Sequence, residues 1–382
     1  MTPQLSMRIL FAGGGTGGHL YPALAIANRL KEMLSGNTNL DIAFVGTKRG
    51  LEYRIKDELG YPLHLINMRG ITRSVAIINV LVPFIMVLAL VQSAMLLKKF
   101  RPDLVVGTGG YVSWPVLKMA ATLGILTVLQ EQNSYPGIAT RSGSKKAKRI
   151  YLGFDEARKF IAHGANAIYT GNPVRSEINK GSRELAIEQF KLKKEKKTIL
   201  ILGGSQGARA INNAVLKSLR NGQWAGDVQL LWQTGKRDYT EVNQQASGLH
   251  WDGALFPFAN NMHDVYAAAD LVIARAGALT IAELTACGLP SILVPFPFAA
   301  GDHQKKNAES LSAKNAALVI DEMNLQDKDI LVEAVELLGS PKYLEMKQAV
   351  ARLTQGRKPA VDVIADDIIT LINETKQVES GH

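Results

Sequence analysis

Apolar and polar positions along this chain follow two alternating rhythms. Short apolar runs rich in β-branched residues read as strands, and each is followed by a stretch whose apolar positions recur at helical spacing. In the first half the strands fall near 7–12, 40–46, 63–67, 103–107, 126–130 and 149–153, and the helices near 19–34, 51–59, 76–99, 113–123 and 137–147. In the second half strands fall near 198–202, 228–233, 253–256, 271–275, 291–295 and 317–320. Helices there fall near 207–220, 239–246, 261–268, 279–287, 303–315 and 326–338. Such alternation predicts βαβ units, parallel sheets and an α/β fold. The stretch from Gly171-Asn172-Pro173 to Lys197 reads as a hinge. Two helices close the chain, at 342–353 and 360–376, and the break at Gln355–Pro359 lets the last one cross back to the first domain.

One segment departs from the pattern. Ser74 to Leu97 is 24 residues without a charge, bracketed by Arg73 and Lys98. Its length alone fits a transmembrane helix. Its place between two expected strands of one sheet argues against spanning, and Asn79, Pro83 and Gln92 interrupt it. A buried crossover helix is the plainer account. Residues 80–91, however, are apolar on nearly every face, more than one sheet-facing stripe requires. A surface helix dipping into lipid lies between these readings, with Arg69, Arg73, Lys98, Lys99 and Arg101 meeting anionic headgroups.

Two glycine-rich stretches occupy equivalent places, Gly13 to His19 (GGGTGGH) and Gly203 to Arg209 (GGSQGAR), about 190 residues apart. Each follows a strand and opens a helix. Such turns present bare backbone N–H groups that hold anions such as phosphates. Their repetition predicts two similar α/β domains with function in the cleft between them. The 382 residues allow two or three domains. A formal net charge of +10 favours anionic partners. The basic clusters lack interleaved aromatics, so no nucleic-acid partner is expected. The single cysteine, Cys287, excludes an intrachain disulfide framework and fits a reducing compartment. The first apolar run is too short for a signal peptide, and Met7 is a candidate start.

His19 closes the first glycine loop, where a capping or packing histidine is the ordinary account. The tip of the second expected strand, Val45-Gly46-Thr47-Lys48-Arg49, lacks the acid of a dinucleotide site. The run Arg275 to Leu284 (RAGALTIAEL) is more telling. Its helix start, with the Thr280 hydroxyl, suits a diphosphate. Glu283, one turn on, can accept hydrogen bonds from a ribose diol, or act as a common first-turn acid. Gln304 and Asn307 share a helical face and suit sugar hydroxyls, unless they are plain surface residues. Glu131-Gln132-Asn133, Gly171 to Arg175 and Gly107 to Tyr111 are further loop candidates.

Taken together, from Arg8 to about Asn307, the motifs GGGTGGH, GTGGYVS, EQN, GNPVR, GGSQGAR, ARAGALTIAEL and DHQKKNA resemble the MurG family in order and spacing. These are the UDP-N-acetylglucosamine transferases that convert lipid I to lipid II in bacterial peptidoglycan synthesis, and so serve cell shape and division. The resemblance implies a GT-B fold, two Rossmann-like domains facing a cleft. It implies an acceptor and membrane-associating domain over 1–173 with the returning helix 359–382, and a UDP-GlcNAc-binding domain over 174–358. Donor contacts are implied at Thr16, Gly17, Gly18, Asn133, Arg175, Ser205, Ala259, Ala278, Leu279, Thr280, Ile281, Ala282, Glu283 and Gln304. Arg175 and Ala259 would lie near uracil, Ser205 and Thr280 near the phosphates, Glu283 on the ribose and Gln304 near the GlcNAc hydroxyls. The first-domain glycine loops would take the diphosphate of undecaprenyl-pyrophosphoryl-MurNAc-pentapeptide.

The implied reaction is transfer with inversion, the muramyl C4 hydroxyl attacking the anomeric carbon as UDP leaves. No Asp-x-Asp pair stands at a strand end, so neither metal nor cofactor is expected, and His19 is the candidate base. The implied location is the cytoplasmic face of the plasma membrane, attached peripherally to an anionic surface. A UDP-GlcNAc 2-epimerase on the same fold and a non-catalytic nucleotide-binding membrane-associated protein are the alternatives.

Overall fold

The computed structural model describes residues 6–36, 39–69, 82–204, 207–224 and 227–380. The chain divides into two compact units, Met1–Val174 with Lys358–His382, and Arg175–Arg357.

The first unit runs β1 (Ser6–Gly13), α1 (Gly17–Met33), β2 (Asn39–Gly46), α2 (Leu51–Arg54), β3 (Leu63–Leu65), α3 (Val82–Phe100), β4 (Leu104–Gly109), α4 (Ser113–Thr122), β5 (Leu126–Glu131), α5 (Ile138–Gly143), β6 (Arg149–Leu152) and β7 (Ala167–Tyr169). Its seven strands are parallel in the order β3-β2-β1-β4-β5-β6-β7. Central strands of such a sheet are covered on both faces, so they read as continuous apolar runs. β1 shows the division. Met7, Ile9 and Phe11 face one core with α1, and Leu10 and Ala12 face the other with α4.

The second unit runs α6 (Arg183–Phe190), β8 (Lys197–Leu202), α7 (Arg209–Asn221), β9 (Val228–Gln233), α8 (Tyr239–Ala246), β10 (Gly253–Phe256), α9 (Met262–Ala268), β11 (Leu271–Ala274), α10 (Ala278–Ala286), β12 (Ser291–Leu293), α11 (His303–Ser312), β13 (Ala317–Val319), α12 (Ile330–Leu338) and α13 (Pro341–Thr354). Its six parallel strands are ordered β10-β9-β8-β11-β12-β13. The last helix, α14 (Ala360–Ser380), packs on α1 in the first unit. There Ile364, Ile368 and Ile372 enter the core, and Asp367 accepts from the Tyr151 hydroxyl at 2.8 Å.

Several elements differ from the sequence reading. The stretch read as a hinge contains α6, whose start is capped by Ser182 accepting from Leu185 N–H at 3.2 Å. β7 was not expected at all. The helices expected at 51–59 and 137–147 stop at Arg54 and Gly143. The one expected at 326–338 begins at Ile330, because Asp329 caps it through Val332 N–H at 3.3 Å.

α3 resolves the apolar run in part, since 70–81 lie outside the described residues. It is long and apolar enough to cross a membrane by length and composition. Ala89, Ser93 and Leu97, four apart, are buried on one stripe. Phe84, Val87, Leu88, Val91 and Met95 form an exposed stripe on another. A fully buried crossover helix is therefore excluded, because an amphipathic element with one packed stripe does not leave five large apolar side chains in water.

Candidate active site

In each sheet the chain reverses its direction of strand addition once, between β1 and β4 and between β8 and β11. Ligands of doubly wound sheets bind outside the carboxyl ends of the strands at such switch points, where the flanking loops diverge. The glycine-rich loops after β1 and β4 flank the first switch point. The loops after β8 and β11 flank the second.

In the first unit Thr16 stands at the N-cap position of α1 without a side-chain capping bond, Gly17 and Gly18 are the first residues of the helix, and His19 follows. His19 N–H bonds back to Thr16 O at 3.3 Å, so Gly17 and Gly18 carry the donors of the helix start that have no partner among the described residues. His19 Nδ1 lies 3.1 Å from the Thr108 carbonyl and 3.0 Å from Gln132 Oε1. The Gln132 amide nitrogen donates to Thr108 O at 2.8 Å and Gln130 O at 3.0 Å, so its oxygen faces the imidazole. Both partners of Nδ1 are acceptors. In the neutral ring the proton therefore resides on Nδ1, and Nε2 carries the lone pair with no hydrogen-bond partner among the described residues. The backbone must approach this ring closely. Gly109 has φ +99°, and a Cβ there would come within 2.7 Å of His19 Nδ1.

Behind this histidine the loops are knitted by buried side chains. Gln130 Nε2 donates to Asn172 Oδ1 at 3.0 Å, and Asn172 Nδ2 to Gln132 O at 2.9 Å. The buried Glu131 accepts from Asn133 N–H and from Gly137 N–H, each at 3.0 Å, and so shapes the turn that carries Asn133.

In the second unit Gly277 precedes α10, and the first intrahelical bond is Ile281 N–H to Gly277 O at 2.9 Å. The N–H groups of Ala278, Leu279 and Thr280 are left for an anion, beside the Thr280 hydroxyl. Ile281 is 3% exposed and its N–H is engaged by Gly277 O, so it anchors the start of the helix. Ala282 lies half-buried in the same turn. Glu283, half-buried, accepts from the fully buried Tyr266 hydroxyl at 2.7 Å. Desolvation raises the Glu283 pKa, and the Tyr266 hydrogen bond and nearby Arg175 oppose that rise. Burial raises the Tyr266 pKa, and the Glu283 charge adds to it. Arg175 itself is exposed.

Ala259 is held by its N–H donating to the buried Gln233 side chain at 3.2 Å. Gln304 accepts from Phe296 N–H at 3.0 Å, which turns its amide NH₂ away from that loop. Asn307 is fully buried and donates to Ala276 O at 3.4 Å, so it braces the turn before α10 and is no sugar-facing partner of Gln304. Ser205 lies outside the described residues.

Sequence reasoning missed Tyr266, Gln132 as partner of His19, and Glu52. The last is 0% exposed and bonds both the first glycine loop and the turn after β2. Its signal was three glycines, Gly14, Gly46 and Gly50, at which a Cβ would meet Glu52.

The glycosyltransferase family 28 N-terminal domain matches residues 9–152, and the family 28 C-terminal domain matches residues 198–364. A UDP-N-acetylglucosamine--N-acetylmuramyl-(pentapeptide) pyrophosphoryl-undecaprenol N-acetylglucosamine transferase from Chlorobaculum parvum is 42% identical over 373 residues, 96% of this chain and 99% of the relative. The protein of that name from Halalkalibacterium halodurans is 41% identical over 350 residues, 91% and 95% of the two chains. Among solved structures, Acinetobacter baumannii MurG superposes with a TM-score of 0.72 at 25% identity, covering 96% of this chain and 99% of its own. A UDP-GlcNAc 2-epimerase from Neisseria meningitidis shares the fold at 13% identity, with a TM-score of 0.62 over 96% and 100% of the chains.

Proposed function

This chain belongs to the MurG family within glycosyltransferase family 28 and has its α/β GT-B fold, and from that membership we propose that it transfers GlcNAc from UDP-GlcNAc to the C4 hydroxyl of lipid-linked MurNAc-pentapeptide in peptidoglycan synthesis. The observation that carries this reading is identity above 40% across nearly the whole of both chains. The epimerase reading rests on fold likeness alone and is not favoured.

The domains divide the labour. The first unit takes the acceptor, with its diphosphate at the loops Gly13–His19 and Gly107–Tyr111. The second takes UDP, with the uracil near Arg175 and Ala259, the phosphates at Ser205 and the α10 start, and the ribose on Glu283. Thr16, Gly17, Gly18, Asn133 and Gln304 complete the donor contacts. The acceptor oxygen attacks the anomeric carbon, and its proton passes to His19 Nε2, the nitrogen with the available lone pair. The bond from that carbon to the β-phosphate oxygen breaks, and UDP leaves with inversion of the sugar. Negative charge grows on the β-phosphate, where the fixed N–H groups of Ala278, Leu279 and Thr280 stabilise it. That arrangement needs no metal.

Release of UDP from UDP-GlcNAc, measured with and without a short-chain lipid-linked acceptor, tests the reaction. Acceptor-dependent release that persists in EDTA is the expected result. Acceptor-independent conversion of the sugar would replace it with the epimerase reading.

A lipid-linked acceptor implies a reaction at a membrane, for which the cytoplasmic face is proposed, and the exposed stripe of α3 supports peripheral attachment. Its exposed stripe of Phe84, Val87, Leu88, Val91 and Met95 can enter the interface, each side chain contributing at most about 1.5–3 kcal/mol. Lys98, Lys99 and Arg101 at its C-terminal end add about 1 kcal/mol each on anionic lipid. Binding to anionic vesicles is expected to weaken in high salt. The double substitution Phe84→Glu, Val91→Glu should release the protein while leaving turnover of a water-soluble acceptor intact. Retention of wild-type protein in membranes through alkaline carbonate would instead favour a spanning α3.

A further inference from the structure

Glu52 is a carboxylate with no exposed surface and, among the described residues, no lysine or arginine paired with it. Burying such a charge is costly unless its oxygens are fully engaged. Here Oε2 accepts from Gly15 N–H at 2.7 Å and Oε1 from Thr47 N–H at 2.9 Å. Three glycines clear its space. A Cβ would fall 2.7 Å from the Glu52 carboxyl at Gly14, 2.3 Å from its Cγ at Gly46, and 2.0 Å from Oε1 at Gly50. A third loop joins through Tyr111, whose hydroxyl lies 3.1 Å from Thr47 Oγ1. Its ring covers Gly15, where a Cβ would meet Tyr111 Cε1 at 2.9 Å. The contacts Gly15–Glu52–Thr47–Tyr111–Gly15 thus close a circuit across the loops after β1, β2 and β4.

We propose that Glu52 is a positioning residue for the acceptor half of the reaction. It holds the first glycine loop so that the α1 donors and His19 keep one geometry. The inference rests on the acceptor assignment of the first unit made above. By drawing the Gly15 N–H inward, Glu52 fixes Gly15 at φ +87°. Gly17, Gly18 and His19 follow within the next turn, so any shift of the carboxylate moves both the phosphate donors and the base. The demand is chemical as well as steric. A carboxylate accepts at both oxygens, whereas the isosteric amide must turn a donor toward one of the two N–H groups.

The test is Glu52→Gln in the full chain, assayed with UDP-GlcNAc and a short-chain lipid-linked acceptor, beside the Kd for UDP alone. Misplacing a reacting group by about 1 Å costs about a hundredfold in rate, so acceptor kcat/KM should fall by about that factor. The UDP Kd should stay within about threefold, because the uracil, ribose and phosphate contacts proposed above lie in the second unit. An acceptor kcat/KM within threefold of wild type overturns the inference. So does a loss of UDP affinity in step with it, which marks general damage. A wild type that transfers no sugar overturns the functional reading instead, and this inference with it. Should the amide variant fail to fold, Gly14→Ala carries the test, since the three atoms nearest its new Cβ all belong to Glu52. Its acceptor kcat/KM should fall while the UDP Kd stays within about threefold, and an unchanged acceptor kcat/KM overturns the inference.

Discussion

Replacing His19 with alanine is expected to lower kcat by about 10²–10⁴ while leaving UDP-GlcNAc binding nearly unchanged, the usual range for removal of a general base. The expectation rests on the tautomer. Nδ1 faces the Thr108 carbonyl and the Gln132 side-chain oxygen, which hold its proton and orient the ring. Nε2 is left to receive the proton of the attacking hydroxyl. Gln132→Leu removes one of those acceptors without touching Nε2, so it should lower kcat less than His19→Ala does. Turnover within a few-fold of wild type, in a variant of normal thermal stability, would make His19 structural and assign the proton to another group.

His19 was legible in the sequence because a glycine-rich strand-to-helix turn leaves a local signature in adjacent residues. So was the helix start at Ala278. The strands were legible for a related reason. Residues such as Ile9, Leu10, Val105, Val106, Ile199 and Leu200 are covered on both sheet faces and form unbroken apolar runs. What failed to show lacked that local imprint. α6 buries only Ala186, so it has no apolar stripe, and its charged surroundings resemble a linker. β7 has three half-buried residues, too few for any period to appear.

The partners of the site residues were hidden for a different reason. Gln132 lies 113 residues from His19, Glu52 37 residues from Gly15, and Tyr266 17 residues from Glu283. No local pattern encodes which buried polar group will meet which. Only the rule that buried polar atoms must be paired says that partners exist. Asn307 illustrates the converse. Its three-residue spacing from Gln304 looked like a shared sugar-facing surface, but the helix turns it into the body of the unit, where it holds Ala276.

The other large effect is expected at Glu283. Its alanine variant should raise the donor KM about ten- to a hundredfold, the equivalent of about 1.5–3 kcal/mol for a lost charge-assisted hydrogen bond. The structure adds a second consequence. Tyr266 is 2% exposed and donates to Glu283, so alanine leaves a buried hydroxyl without its partner and lowers the melting temperature as well. Glu283→Gln separates the two effects. The amide oxygen still accepts from Tyr266, so stability should hold, while the ribose loses a charged acceptor and the donor KM still rises. Tyr266→Phe separates them from the other side, freeing one carboxylate oxygen without removing the charge. Burial raises the Glu283 pKa, so protonation should begin above the ordinary carboxylate range as pH falls. Donor affinity should accordingly decline on the acid side in the wild type, and that limb should disappear in Glu283→Gln. An unchanged donor KM in both the alanine and the glutamine variants would remove Glu283 from the ribose and leave it as the acceptor that satisfies Tyr266.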